Sequence, residues 1–132
     1  MRVIVTGGAG YIGGETVLKL LDAGHSVLAI DRVIPPQHLL DSGAKWHTGD
    51  FSAELGLDCI RLFAPDAIIH CAGTSLVGPS IANPSEYYDN NFVKTMSLLN
   101  YLVANKLTKI RVIFSSSAAT YGNPVMCPVA EV

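Results

Sequence analysis

Residues 2–13 have the sequence RVIVTGGAGYIG, in which a short apolar run leads directly into a glycine-rich segment. The β-branched residues of Arg2 to Thr6 predict a strand, and the near-helical spacing of apolar residues from Tyr11 to Ala23 predicts a helix. A glycine-rich turn at this junction lets the backbone approach a pyrophosphate, whose oxygens then face the free N–H groups of the helix start. A plain glycine-rich turn is the alternative. The strand and helix on either side favour a dinucleotide-binding turn.

Strand and helix signals alternate along the rest of the chain, which predicts βαβ units and a parallel sheet. Gly24 is predicted to close the first helix. Further strands are predicted at Ser26 to Asp31, Lys45 to Thr48, Asp66 to Cys71 and Ile110 to Phe114. Helices are predicted at Ser52 to Phe63 and Pro84 to Asn105, with one short helix inside the loop Arg32 to Ala44. We therefore expect a single α/β domain over residues 1–132. It is a Rossmann-type, doubly wound parallel sheet of order 3-2-1-4-5, truncated after its fifth strand.

Composition and charge exclude several classes of protein. Hydrophobic residues make up 49% of the chain and charged residues 15%, with a formal charge of −2 and no basic stripe, which argues against disorder and against a nucleic-acid partner. No apolar segment is long enough to cross a membrane or to act as a signal peptide. The three cysteines and four histidines show no spacing typical of a metal site. We expect a soluble, cytoplasmic protein without a metal.

Two carboxylates at predicted strand ends are candidates for contacts with the adenosine of a dinucleotide. Asp31 ends the second strand, where it can accept hydrogen bonds from ribose hydroxyls and would repel a 2′-phosphate. The neighbouring Arg32 could instead accommodate that phosphate, so NAD is favoured over NADP but both stay open. Asp50 follows the third strand and could meet the adenine amino group, although a simple turn residue explains its position nearly as well.

Four motifs identify a family resemblance: TGGAGYIG at 6–13, HCAG at 70–73, YYDNN at 87–91 and FSSSAATYG at 114–122. Together they resemble the extended short-chain dehydrogenase/reductase family and, within it, the UDP-glucose 4-epimerases. The resemblance spans essentially the whole chain and the N-terminal part of a family member. It implies an NAD-dependent isomerase that inverts C4 of a nucleotide sugar by transferring a hydride to and from bound NAD, in galactose metabolism.

The resemblance also implies roles for individual residues. The implied cofactor site consists of Gly7, Gly10, Tyr11, Ile12 and Gly13 at the pyrophosphate, Asp31 and Asp50 with Phe51 at the adenosine, and Cys71, Ala72, Gly73 and Asn90 along the rest of the groove. Ser117 matches the catalytic serine that hydrogen-bonds the sugar's C4 oxygen and helps move its proton; a polar strand terminus is the alternative. Ser75 departs from the family, which usually carries a cofactor-binding lysine there, and the loop after Asp31 is shorter than typical.

In the family a tyrosine with a lysine four positions on acts as the general base. None of the five tyrosines of this chain has that lysine: the residues four positions after them are Glu15, Asn91, Phe92, Asn105 and Val125. The base is expected beyond Val132. We therefore predict that this chain alone is inactive and forms the cofactor half of the enzyme.

Alternatives remain open at the level of sequence. A sugar-nucleotide dehydratase or reductase of the same family shares the glycine motif, and a non-catalytic nucleotide-binding or interaction module is possible if the chain is complete as written. The partners implied are a UDP-hexose for the full-length protein and a second copy of the chain. Self-association is expected through strand five, through the helix that begins at Pro84, or through both. Strand five is an edge on which Ile110, Val112 and Phe114 should be poorly covered.

Overall fold

The computed structural model describes residues 1–129 and contains one sheet of five parallel strands. The strands are β1 (Arg2–Thr6), β2 (Ser26–Asp31), β3 (Lys45–Thr48), β4 (Ala67–His70) and β5 (Arg111–Phe114). Their order across the sheet is β3-β2-β1-β4-β5. The predicted doubly wound topology is confirmed, and all strands present their carboxyl ends at one edge.

Six α-helices connect the strands. They are α1 (Tyr11–Asp22), α2 (Gln37–Leu40), α3 (Glu54–Phe63), α4 (Val77–Ala82), α5 (Pro84–Tyr88) and α6 (Lys94–Ala104). A π-helical segment, Asp89–Val93, joins α5 to α6, so the long helix predicted from Pro84 onward is present but widened in its middle. A short 3₁₀ turn covers Ala118–Tyr121.

One predicted helix end is confirmed, and one helix was not predicted. Ala23 is the C-cap residue of α1, and Gly24 follows it in the left-handed region at φ +76°, where it closes the helix. Helix α4 was not predicted, because Gly78 and Pro79 inside it disfavour a helix by propensity. Pro79 is tolerated here because it lies in the first turn, where its missing N–H has no helical partner to lose.

Helices cover both faces of the sheet, and the core is correspondingly divided into two parts. On one face, α3 and α6 pack on the strands through Ile4, Leu28, Ile30, Phe51, Ile60, Phe63, Ile68, Leu98 and Leu102. On the other face, α1 packs through Val17 on Val5, Val27 and Ala29. Burial on both faces explains why the central strands are almost wholly apolar, as is usual for parallel sheets.

Strand β5 lies at the edge of the sheet, and its outer side is unpaired in the described part of the chain. Val112 is 39% exposed and Phe114 is 54% exposed, in agreement with the expectation of poor cover. Ile110, in contrast, is half-buried because it packs against the core beside α6. Across residues 1–129, no helix has both the length and the apolar character needed to span a bilayer.

Candidate functional site

The turn between β1 and α1 is held tightly against β2. The N–H of Gly7 donates to the carbonyl of Ile30 at 2.8 Å, and Gly7 has a φ of +72°, a conformation that glycine adopts at little cost. Gly13 lies so close to this turn that a Cβ on it would overlap the Gly7 carbonyl oxygen. The two glycines therefore let α1 start directly on top of the strand end.

The first turn of α1 presents hydrogen-bond donors at this edge of the sheet. The N–H of Gly14 is the first to bond within the helix, to the carbonyl of Gly10 at 2.7 Å. The N–H groups of Tyr11, Ile12 and Gly13 have no acceptor among the hydrogen bonds of residues 1–129, as expected for the first residues of a helix. Such N–H groups together with the helix dipole suit a phosphate.

Asp31 connects the glycine-rich turn to the end of β2. Its Oδ2 accepts from the N–H of Ala9 at 3.0 Å, and its Oδ1 accepts from the N–H of Val33 at 3.0 Å. Because each carboxylate oxygen can accept two hydrogen bonds, one position remains on each for a further donor. The backbone therefore fixes the orientation of Asp31 without using up its acceptor capacity.

Asp50 and Lys94 form an ion pair beside Asp31. The ammonium of Lys94 lies 2.8 Å from Oδ2 of Asp50, and both side chains are about one-fifth exposed. Burial raises the pKa of Asp50, but the hydrogen bonds from Lys94 and Ser52 outweigh it and leave the pKa below its ordinary value of 3.8. The hydrogen bond to Asp50 also raises the pKa of Lys94.

Asn90 is buried and joins the two cations of this region. Its Oδ1 accepts from Nζ of Lys94 at 3.0 Å and from Nη1 of Arg32 at 3.3 Å. Arg32 is thus linked to the helix through a neutral amide. Two carboxylates, Asp31 and Asp50, and two cations consequently share one end of the site.

The segment Cys71 to Gly73 follows β4 and forms the middle of the site. Asn91 fixes Thr74, the residue that follows this segment. The Oδ1 of Asn91 accepts from the N–H of Thr74 at 2.7 Å, and the Nδ2 of Asn91 donates to the Thr74 carbonyl at 2.8 Å. Burial raises the pKa of the Cys71 thiol. The thiol form is therefore favoured in the groove.

Ser117 lies at the other end of the site, after β5. Its hydroxyl oxygen accepts from the N–H of Ala119 at 3.2 Å and caps the 3₁₀ turn. It lines a cleft of about 1070 Å³ together with Cys71 and Ser75, the residue that departs from the family pattern. Ser117 is exposed, so its hydroxyl is accessible from this cleft.

The two ends belong to one continuous groove along the carboxyl edge of the sheet. A cleft of about 580 Å³ contains nine of the expected residues: Gly7, Gly10, Asp31, Asp50, Phe51, Cys71, Ala72, Gly73 and Asn90. The cleft at Ser117 contains Ile12 and shares the segment Cys71 to Gly73 with the first. Tyr11 and Gly13 line neither cleft: the Tyr11 side chain is 86% exposed and Gly13 is buried in the turn. Only their backbone groups are placed to contribute.

A chain of hydrogen bonds through His70 connects the end of β1 to Asn91, which holds the loop after β4. Thr95 donates its hydroxyl proton to the Asn91 carbonyl at 2.9 Å, and its oxygen lies 3.0 Å from Nε2 of His70. We therefore assign the proton of His70 to Nε2, which leaves Nδ1 to accept from Thr6. Burial lowers the pKa of His70 below its ordinary value of 6.5, so the ring is neutral at pH 7.

Sequence reasoning missed Lys94 and the role of Asn91. A single lysine on a helix usually marks a solvated face, but Lys94 lies one helical turn after Asn90, and that i,i+4 spacing was the available signal. Two consecutive asparagines inside a predicted helix were a second signal, because asparagine is unfavourable in helix interiors unless its side chain has a partner.

Comparison with known proteins places this site in a family. The model of the NAD dependent epimerase/dehydratase family matches residues 3–131. A UDP-glucose 4-epimerase of Halalkalibacterium halodurans is 42% identical over 132 residues, which cover 99% of this chain and 39% of that protein. A UDP-glucose 4-epimerase sequence of Klebsiella pneumoniae is 39% identical over 140 residues, and the match covers 99% of this chain and 99% of that sequence.

Solved structures agree with the sequence comparison. The UDP-glucose 4-epimerase of Stenotrophomonas maltophila, crystallised with NAD and formylated UDP-arabinopyranose, superimposes with a TM-score of 0.87 at 31% identity. The UDP-glucose 4-epimerase of Bifidobacterium longum, in complex with NAD⁺ and UDP, gives a TM-score of 0.85 at 38% identity. Each match covers 99% of this chain and 41% of the solved chain.

The chain thus spans about two-fifths of the length of the H. halodurans relative and of these two solved structures. The match to the family model nevertheless covers almost all of residues 1–132, and the parallel sheet, the glycine-rich turn and the groove agree with it. The chain belongs to the NAD dependent epimerase/dehydratase family.

Proposed function

We propose that this chain binds NAD in the groove and forms the cofactor half of a UDP-glucose 4-epimerase. The observation that carries the proposal is the groove itself, which runs along the carboxyl edge of the sheet from Asp31 to Ser117. In open parallel sheets a ligand binds at this edge, beside the point where the strand order reverses. Here that point lies between β1 and β4, next to the glycine-rich turn.

The residues of the groove fit an extended dinucleotide. Close backbone contact is possible at Gly7 and Gly10, and the free N–H groups of Tyr11, Ile12 and Gly13 suit the negative charge of a pyrophosphate. Asp31 keeps an acceptor position on each oxygen for ribose hydroxyls.

The rest of the groove would hold the remainder of the cofactor. We assign the adenine to the region of Asp50, Phe51 and Asn90, and the nicotinamide half to the segment Cys71 to Gly73. The carboxylate of Asp31 disfavours a 2′-phosphate, and Arg32 donates to Asn90, so we assign NAD rather than NADP.

Bound NAD supplies reversible hydride transfer at C4 of the sugar. Ser117 is the residue of this chain that we place at that carbon: its hydroxyl would hydrogen-bond the C4 oxygen and hold its proton during the transfer. The Tyr-x-x-x-Lys pair of the family does not occur in the 132 residues. We therefore propose that the groove of this chain binds NAD, and that conversion of a UDP-hexose takes place only in a longer polypeptide that carries this pair.

Calorimetric titration of the chain with NAD and with NADP tests the proposal. We expect NAD to bind more tightly, and a Gly10→Val variant to lose most of the NAD affinity, because its side chain would occupy the phosphate approach and crowd the Gly7 carbonyl, 3.3 Å from the first added carbon. Gly78→Val is the matched control, since a side chain there meets no atom within 4 Å. Tighter binding of NADP, or unchanged NAD affinity in Gly10→Val, contradicts the assignment.

A further inference from the structure

Lys94 occupies the end of the groove that we assign to adenine. Its ammonium contacts three acceptors: Oδ2 of Asp50 at 2.8 Å, Oδ1 of Asn90 at 3.0 Å and Oδ2 of Asp89 at 3.5 Å. The side chain is only 22% exposed and lines the cleft together with Asp50. A cation therefore lies directly beside the carboxylate that would meet the base.

The hydrogen bonds of Asp50 decide which of its oxygens a base can reach. Its Oδ1 already accepts from the N–H of Ser52 at 2.9 Å and from the Ser52 hydroxyl at 2.7 Å. A carboxylate oxygen has two acceptor positions, so Oδ1 is saturated. Its Oδ2 has one bond from Lys94 and one position left. A donor from a base must approach Oδ2, and it then also approaches the ammonium.

One of the N–H donors of Lys94 is available for redirection. The contact to Asp89 is the longest of the three, and the Asp89 side chain is 54% exposed, so water can replace this contact at small cost. The contacts to Asp50 and Asn90 are shorter and lie inside the cleft. The groove can thus offer one acceptor, Asp50 Oδ2, beside one donor, Lys94 Nζ.

We propose that Lys94 and Asp50 form a donor–acceptor pair that binds the edge of the purine at positions 1 and 6, and that this pair accepts a 6-oxopurine as well as adenine. The inference rests on the proposed function, because it assumes a nicotinamide dinucleotide in the groove. Adenine would donate from its 6-amino group to Asp50 and accept at N1 from Lys94. Hypoxanthine would donate from N1 to Asp50 and accept at O6 from Lys94.

Lys94 is the specificity-determining member of the pair. Without Lys94, the O6 of hypoxanthine would have no donor and would lie beside the Asp50 carboxylate, and two acceptors cannot share a hydrogen bond. A site with an unpaired charged group rejects the mismatched ligand strongly. The ammonium removes this discrimination, because a lysine can turn its donors toward either acceptor.

The test compares the dissociation constants of NAD and of nicotinamide hypoxanthine dinucleotide, measured by calorimetry. For the wild type we expect the two constants to lie within tenfold of each other. In Lys94→Met the ratio should rise at least about tenfold, chiefly through weaker binding of the hypoxanthine dinucleotide, as expected for the loss of a hydrogen bond to a charged group. Lys94→Arg should keep the wild-type ratio, because it retains a cationic donor.

Lys19→Met is the matched control, since Lys19 is exposed and pairs with Asp22 on the surface of α1. A wild-type ratio above tenfold would overturn the inference, and so would the same ratio in folded Lys94→Met as in the wild type. In either case, binding of NAD by the wild type would still support the proposed function. Failure of the wild type to bind NAD would overturn both. The wild-type ratio decides the question even if Lys94→Met does not fold.

Discussion

The hydroxyl of Thr6 donates to Nδ1 of His70 across 2.6 Å, between the last residues of the paired strands β1 and β4. Thr6 also accepts from the N–H of Ala72 at 3.4 Å, so the hydrogen bond links the strand ends to the middle of the groove. The His70 ring forms hydrogen bonds with Thr6 and Thr95 and packs against the rings of Phe51 and Phe114. None of these neighbours carries a charge that could stabilise an imidazolium.

We predict that the chain loses stability on mild acidification because of His70. The pKa of His70 is lowered in the folded state, whereas the unfolded chain binds the proton near pH 6.5. The contribution of neutral His70 to the free energy of unfolding is therefore complete above pH 6.5. It is lost as the pH falls from 6.5 toward the pKa of His70 in the folded state. The loss should reach at most about 1.4 kcal/mol per pH unit. Urea unfolding at several pH values between 5 and 8 measures it.

His70→Asn and His38→Gln separate this effect from general acid sensitivity. His70→Asn should be less stable at pH 7.5 but should show a flatter dependence on pH between 5 and 7. His38 is exposed on α2, so His38→Gln should keep the wild-type profile. An unchanged acid decline in His70→Asn would show that another group is responsible.

A second prediction concerns the packing of the glycine-rich turn. Gly13→Ala should lower the free energy of unfolding by about 1–3 kcal/mol or more, because the added methyl overlaps the Gly7 carbonyl and the turn must move. Gly78→Ala has open space around it and lies in a helix, so it should be neutral or stabilising. Thermal and denaturant unfolding test both; a Gly13→Ala protein as stable as the wild type would contradict the close packing.

A third prediction concerns catalysis by this chain alone. With NAD and UDP-galactose, the purified 132 residues should form no UDP-glucose above background, because general base catalysis contributes about 10²–10⁴-fold and no Tyr-x-x-x-Lys pair is present. The H. halodurans UDP-glucose 4-epimerase, assayed in parallel, is the positive control. Sustained turnover by the chain would refute the prediction and would point to a base within these residues.

A fourth prediction is that the chain self-associates through β5. Ile113 and Phe114 are each 54% exposed on an edge strand, and an exposed apolar edge can pair with another chain. Ile113→Lys should shift the molecular mass measured by light scattering toward the monomer, because a charged side chain opposes edge pairing. Leu62→Lys, on the exposed side of α3, is the control and should leave the measured molecular mass unchanged. A wild-type monomer at micromolar concentration would contradict the prediction.

The sequence predicted the sheet and most of the groove because these depend on local signals. Alternating strand and helix patterns determine a doubly wound order, and strand ends at Asp31, Cys71 and Ser117 must then meet at one edge. Helix α4 was missed because packing and position overrode the poor propensity of Gly78 and Pro79. Lys94 was missed because its role depends on Asp50, 44 positions earlier in the sequence, and no periodicity records such a pairing. The single domain, the cytoplasmic location and the residue roles stay predictions.

The π-helical segment Asp89–Val93 has a consequence for insertions and deletions. Asn90 and Asn91 are consecutive residues of this segment, and their side chains reach two different loops, at Arg32 and at Thr74. A π-helical turn, with its i→i+5 hydrogen bonds, holds about one residue more than an α-helical turn. Removing one residue between Tyr88 and Lys94 would let the segment close as α-helix and leave Leu98 and Leu102 against the core, but it would displace Asn90 or Asn91 from its loop. A one-residue deletion in this segment should therefore preserve the packing of α6 and weaken the groove that the two asparagines support.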